Sequence, residues 1–423
     1  MRRSTLLLLL ACSAVWGQPQ KDRHVILITL DGFPAYALQD PTLSVPNLRR
    51  LAREGATADH MITSNPTVTW PNHTSMVTGV PPARHSVLYN GQFIRETGKV
   101  DSLKSKAELV QAPTVYDRAH AAGLTTAEID WVAILNAPTI TWSFAERPSV
   151  TDGIPKEMIA AGLVSEQDVA DFGKRNITYR DQIWTQAAIY IMQKHRPNLM
   201  LFHLLATDSA HHQFGPKSLA SLTALALADA RVGDLYRALE AAKLLPTTSI
   251  IVASDHGFKV VRRQIHPLVL IKQDAQIIPE GGTAMVYLNG RKSAAEIKAV
   301  LQGVEGVDRI VEPAEYAALG LPAPAKNHRM ADMVIAAKDG YSFAGGDSGD
   351  LVTPAAVGSL GSHGYLNTDP EMNAIFIAWG RGVRPGVKIP EVRNIDIGPT
   401  IASLLGLKME NTAGSPLTAI LEK

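Results

Sequence analysis

The chain of 423 residues contains one cysteine, Cys12, so the domain that follows it has no disulfide framework and no thiolate chemistry. An excess of either charge is missing as well, with 41 Lys and Arg against 40 Asp and Glu. Without a basic field to follow a polyanion, a nucleic-acid partner is not expected. The sequence holds no internal repeat and no low-complexity tract. The apolar run Leu6–Ala11, behind Arg2 and Arg3 and ahead of small residues, is too short to span a bilayer and reads as a secretory signal over 1–17. The expectation is an exported protein, periplasmic or secreted. Leu9-Leu10-Ala11-Cys12 also has the form of a bacterial lipoprotein box, which would give a membrane anchor through a lipidated Cys12, while Val15-Trp16-Gly17 offers a competing cleavage site.

What is present is enough apolar residue, 46%, for one large core plus an insert. The near-continuous apolar runs His24–Leu30, Asn198–Leu205 and Thr248–Ala253 predict strands buried on both faces of a parallel sheet. Leu124–Ile129 and Asn373–Trp379 add two more strands. Helical spacing covers Pro46–Ala56, Thr114–Ala122, Tyr179–Lys194, Lys217–Ala242 and Ile395–Leu404. The class is therefore α/β, a mostly parallel central sheet sandwiched by helices. From His266 to Ala344 the alternation changes to short strands, one helix (Ala294–Gln302) and Gly/Pro turns. That pattern predicts a small α+β insert at 266–344 within a main domain made of 18–265 and 345–423.

In open α/β sheets the ligand crevice lies beyond the carboxyl ends of the strands. Three of the predicted core strands end in acidic or imidazole residues: Asp31, then Asp208 with His212, then Asp255 with His256. His363 follows in the glycine-bounded segment Gly361-Ser362-His363-Gly364. Singly, each has an ordinary structural explanation as a turn Asp or a satisfied His. Jointly, carboxylates and imidazoles without cysteine suit divalent cations, Zn²⁺ first, and six ligands make two sites of three. Asp208 and His212 are four apart and share a face of any helical turn, where His363 could complete a site. On an extended segment Asp255 and His256 point to opposite sides, whereas a tight turn lets both face one metal joined by Asp31. Thr69 stands where a helix should begin, with Pro71 in its first turn and Gly79 as its stop. It is placed as an N-cap, whose hydroxyl either caps the backbone or attacks an anion held at the helix N-terminus.

In this order and at these separations, Leu30-Asp31-Gly32, Pro66–His73, Val77-Thr78-Gly79, Tyr89-Asn90-Gly91, Asp208 with His212, Ser254–Gly257 and Gly361–Tyr365 resemble the nucleotide pyrophosphatase/phosphodiesterase family of the alkaline phosphatase superfamily. The likeness covers most of 24–406. It implies an alkaline-phosphatase-like fold and two zinc ions, one on Asp208, His212 and His363, the other on Asp31, Asp255 and His256 with the Thr69 oxygen. It also implies that Thr69 is the catalytic nucleophile and that Asn90 donates to a phosphoryl oxygen. A small phosphodiester, either a nucleotide or a lipid or glycerol headgroup, is the expected partner. No Arg lies within the Thr69 motif to meet the extra charge of a monoester, which favours diesters. Trp70 could wall an apolar slot for a flat group, and His203 takes the position, five before Asp208, where nucleotide-cleaving relatives carry a stacking Tyr. The alternatives are a phosphomonoesterase or phosphonate hydrolase of the same superfamily, or a non-catalytic metal-binding surface protein. A sulfatase is disfavoured by the absence of a Cys/Ser-x-Pro-x-Arg arrangement at the nucleophile.

Overall fold

The computed structural model describes residues 19–422, so the expected signal and Cys12 lie outside the described residues. The centre is an eight-stranded sheet of β1 (His24–Leu30), β2 (Ala56–Ile62), β3 (Thr126–Ile129), β4 (Trp142–Phe144), β5 (Leu199–Leu204), β6 (Thr248–Ala253), β7 (Phe376–Gly380) and β8 (Val387–Arg393). Its spatial order is β8-β2-β7-β6-β1-β5-β3-β4. Only β7 opposes its neighbours; every other pairing is parallel. β1 sits in the middle, fully buried along its length, with Thr29 beside His203 on one flank and Ala253 on the other. This register brings the carboxyl ends of β1, β5 and β6 to one level, where the predicted ligands emerge.

Alternation along the strands divides the core into two layers. Ile26, Ile28 and Leu30 face a cluster that includes Leu48 and Leu51 and the buried stripes of two long helices. Val25 and Leu27 face the opposite cluster, with Met76, Val77, Val115, Ala119, Ile397 and Ile401. Each such apolar side chain contributes roughly 1.5–3 kcal/mol by leaving water. Four helices matter most for the site: α1 (Thr69–Thr78), α2 (Ile177–Lys194), α3 (Ala206–Phe214) and α4 (Leu219–Ala241). The spacing of the buried Ala224, Leu225, Ala228, Val232, Leu235 and Leu239 makes α4 one apolar stripe against the sheet. Among the described residues no helix is long and apolar enough to cross a membrane.

Residues 275–337 form a separate four-stranded antiparallel sheet, with helix Ala294–Gln302 packed on it through Ile297 and Leu301. A small three-stranded sheet ties it to the main body, pairing Arg263–Ile265 with Tyr341–Phe343 and with Val352–Pro354. The hairpin tip at 280–283 presses on the His363 loop. There the Gly282 N–H donates to His363 O at 2.8 Å and the Thr283 hydroxyl donates to Gly364 O at 2.8 Å. Gly364 has φ +79°, and a side chain there would overlap the Glu280 carbonyl, so glycine is required.

Candidate active site

Asp31 closes β1, Asp208 lies in the first turn of α3 just after β5, and Asp255 and His256 follow β6. On α3 the i,i+4 spacing brings His212 Nε2 to 3.3 Å from Asp208 Oδ1. His363 Nε2 approaches the same oxygen at 3.7 Å. His256 Nε2 is 3.2 Å from Asp31 Oδ1 and 3.4 Å from Asp255 Oδ2. The chain after β6 turns tightly, with Asp255 Oδ1 accepting from the N–H groups of Gly32 (3.0 Å) and His256 (3.1 Å). Of the two arrangements left open for Asp255 and His256, the protein therefore adopts the one in which both face inward. Two trios have ligand atoms mutually within 4.8 Å, Asp208/His212/His363 and Asp31/Asp208/His256. Asp208 belongs to both, and Asp255 adjoins the second through His256.

The chemistry of these atoms is that of a cation site. Asp31 and Asp255 are buried and Asp208 half-buried, and among the described residues the three carboxylates pair only with histidines, with no Lys or Arg. Asp31 Oδ1, Asp208 Oδ1, Asp255 Oδ2 and His256 Nε2 are all buried without a hydrogen-bond partner. Orphaned buried acceptors are costly unless something satisfies them. In each ligand histidine Nδ1 meets a backbone carbonyl: Gly257 O for His256 (3.1 Å), Gly361 O for His212 (3.0 Å) and Thr67 O for His363 (3.1 Å). Donating from Nδ1 leaves the Nε2 lone pair aimed at the cluster, the orientation metal-ligating imidazoles require. The field of the carboxylates favours positive charge at this place, be it a proton or a metal cation. Burial alone would depress His256, yet Asp255 and Asp31 push it up to about 9. Burial and the neighbouring His256 and His212 hold His363 well below its ordinary value, so it stays a neutral donor.

Thr69 is the first residue of α1 rather than its N-cap; Val68, with φ −131°, occupies that place and has no polar side-chain atom to cap with. The hydroxyl is therefore not engaged in capping. His363 contacts Thr67 O and His73 Nδ1 contacts Thr69 O at 2.9 Å while lying 3.6 Å from Asp255 Oδ2, so the loop carrying Thr69 is fastened to the ligand cluster. Asn90 Oδ1 accepts from the Trp70 N–H at 2.9 Å, which fixes the amide orientation and leaves Nδ2 as a free donor. Trp70 and Asn90 form one end of a cleft of about 680 Å³ that continues over Trp131, Leu135 and Trp142.

His203 departs from expectation. It is 1% exposed, behind Asp31 rather than in the cleft, because the parallel register turns its ring inward; it cannot stack on a substrate. His211 is also buried, with Nδ1 against Gly32 O, and His73 and His85 are buried with their Nε2 atoms on the Thr29 and Ser75 hydroxyls. Reading the strand ends missed Asp130, buried directly after β3, and Asp181, which accepts from the Leu205 and Ala206 N–H groups at the start of α3. Asp130 follows a predicted strand just as Asp31 does, so the same rule would have found it. Asp181 lies mid-helix and gives no such signal.

The sheet, the helix-borne hydroxyl and the carboxylate–imidazole cluster define a metal-dependent hydrolase with an alkaline-phosphatase-like fold. The chain belongs to the type I phosphodiesterase/nucleotide pyrophosphatase family, whose model matches residues 25–366, and is thus a hydrolase acting on phosphodiester bonds. It is 25% identical over 415 residues to an uncharacterized pyrophosphatase/phosphodiesterase of Schizosaccharomyces pombe, covering 92% of this chain and 78% of the relative. It is 24% identical to a bis(5'-adenosyl)-triphosphatase of Xenopus laevis, with coverage of 92% and 79%. Bovine ectonucleotide pyrophosphatase/phosphodiesterase family member 3 is matched at 28% identity over 55% of this chain but only 24% of its own length. Among solved structures, murine ectonucleotide pyrophosphatase/phosphodiesterase 5 superposes with a TM-score of 0.77 at 21% identity, covering 95% of this chain and 100% of that one. The same murine protein has also been solved as an inactive threonine-to-alanine variant in complex with AMP.

Proposed function

We propose that this chain is an exported two-zinc phosphodiesterase and nucleotide pyrophosphatase working through a phospho-Thr69 intermediate. The observation that carries the reading is the set of four orphaned buried ligand atoms, on Asp31, Asp208, Asp255 and His256, in a cluster tied to the Thr67–Thr69 segment through His363 and His73. Asp208, His212 and His363 hold one ion and Asp31, Asp255 and His256 the other; nitrogen and oxygen donors without cysteine suit Zn²⁺. Bound there, the pair supplies Lewis acidity that ionises a hydroxyl and neutralises a departing oxygen.

The chain's own residues do the rest. The Thr69 Oγ attacks phosphorus in line, the bond to the leaving oxygen breaks, and the hydroxyl proton passes to solvent. Water then attacks the phosphothreonine, the Oγ–P bond breaks, and the hydroxyl is restored. Asn90 Nδ2, oriented by the Trp70 N–H, stabilises charge on the non-bridging oxygens. A singly charged diester needs no further cation, in keeping with the lack, among the described residues, of Lys or Arg pairing to the cluster; a doubly charged monoester would. The cleft beyond Trp70 has the size of a nucleotide pocket. A relative that hydrolyses bis(5'-adenosyl) triphosphate and a structural neighbour that binds AMP support nucleotides over lipid or glycerol headgroups.

The test is turnover of bis(p-nitrophenyl) phosphate. Activity is expected to vanish with EDTA, return with zinc, and fall at least a thousandfold in Thr69→Ala; unchanged turnover in that variant contradicts the proposal. Mass spectrometry of the mature N-terminus tests export and the Cys12 anchor, cleavage near residue 17 or lipidated Cys12 being the two supporting results.

A further inference from the structure

Behind Asp31 lies an arrangement that the reaction as described does not use. His203 Nε2 meets Asp31 Oδ2 at 3.1 Å, and His203 Nδ1 meets the Asp130 carbonyl at 3.0 Å with Asp130 Oδ2 at 3.4 Å. All three side chains are at most 2% exposed. Every atom facing the ring nitrogens is an acceptor, so His203 serves as a donor on both sides. The ring is held in place from the side, where His73 packs edge-on at 4.5 Å between ring centres and Trp131 packs in turn on His73 at 4.7 Å. Asp130 has φ +55°, a left-handed conformation that Asp adopts at a cost, and this backbone sets both its carbonyl and its carboxylate against Nδ1, the carbonyl making the hydrogen bond.

We propose that Asp130 and His203 are positioning residues for the metal centre: His203 occupies one oxygen of Asp31, so that Asp31 presents only Oδ1 to its cation, and Asp130 fixes the ring that does so. The partition is visible in Asp31 itself, whose Oδ2 is hydrogen-bonded while Oδ1 is one of the orphaned buried atoms facing His256. A carboxylate with one oxygen committed cannot swing to bidentate coordination, and the distance from Asp31 to the cation is set by the wall behind it. Outer partners of this kind typically govern metal affinity by about 10- to 100-fold. The inference rests on the two-ion reading above and names which side chains tune one of the two sites.

The experiment is chelator competition on the zinc-loaded protein, resolving the two dissociation steps, with metal content by mass spectrometry and thermal melting of the metal-free form. His203→Leu is expected to weaken one ion by about 10- to 100-fold and leave the other unchanged. His203→Gln can keep a donor near the Nε2 position and is expected to restore most of that affinity. Asp130→Asn keeps the volume and tolerates the left-handed backbone, so it is expected to show a smaller loss at the same single site while melting within a few degrees of wild type. Wild-type affinity at both sites in His203→Leu, or equal weakening of both together with a collapsed melting temperature in Asp130→Asn, overturns the proposal. Failure of the underlying reading is distinct: the unmodified protein would then hold fewer than two ions.

Discussion

Asn90 offers the sharpest separation of chemistry from stability. Its Oδ1 is committed to the Trp70 N–H at 2.9 Å, and the residue is exposed at the edge of the cleft. Removing the side chain deletes one hydrogen bond, worth about 0.5–1.5 kcal/mol of stability at most. For catalysis the proposed mechanism predicts a larger loss, because it makes Nδ2 the donor to the growing negative charge. Loss of one such donor costs about 100- to 1000-fold in kcat, or roughly 2.7–4 kcal/mol. Solvent access at Asn90 places Asn90→Ala near the lower bound, about 100-fold. Asn90→Asp is the more telling change, since it keeps the acceptor for Trp70 and replaces the donor with an anionic oxygen facing the phosphoryl group. It should fall below the alanine variant. The assay is kcat and KM on bis(p-nitrophenyl) phosphate, with metal content and melting temperature as controls. An alanine variant keeping a third of its turnover, or an aspartate variant faster than the alanine one, would refute the role given to Asn90.

Two further perturbations probe the scaffold. Glu128, 2% exposed on β3, is pushed up to about 7 by burial, with the Ser143 hydroxyl and Trp131 N–H only partly offsetting it. The folded protein thus holds a proton that the unfolded chain releases near 4.5, and stability falls as pH rises from there to about 7, then levels off. Glu128→Gln removes the penalty and should be more stable than wild type at pH 8, by up to roughly 3 kcal/mol, with the gap closing at pH 4. A gap independent of pH would contradict this. Gly364→Ala adds a side chain at φ +79° against the Glu280 carbonyl. Backbone strain alone costs roughly 1–3 kcal/mol, and because His363 precedes it the variant should also lose zinc; a melting temperature and metal content equal to wild type would show that the hairpin contact does not brace the loop.

The fold was legible where the chain repeats one physical demand. Strands such as Val25–Leu30 are apolar on both faces because helices cover both, and that continuous run is itself the signal of a parallel sheet. The cluster was legible because those same strands end in Asp31, Asp208 and Asp255. What sequence could not supply was direction. His203 follows the strand pattern like a pocket residue, and only the β1–β5 register turns it towards Asp31. Thr69 looked like an N-cap because its hydroxyl fits the statistics of that position; the backbone of Val68 assigns the place differently. Buried carboxylates such as Glu128 and Asp181 leave no periodic trace, since each is satisfied by a partner distant in sequence or by a backbone turn. The edge strand β8 and its partner β2 were unreadable for a related reason. Their half-exposed residues do not make a continuous apolar run.

The central claim is that six side chains on separate strand ends and loops gather two cations beside the Thr69 hydroxyl. Anomalous diffraction at the zinc edge, on crystals of the zinc-loaded protein, measures this directly. Two peaks are predicted, one among Asp208, His212 and His363 and the other among Asp31, Asp255 and His256. A single peak, or peaks away from these residues, would contradict it.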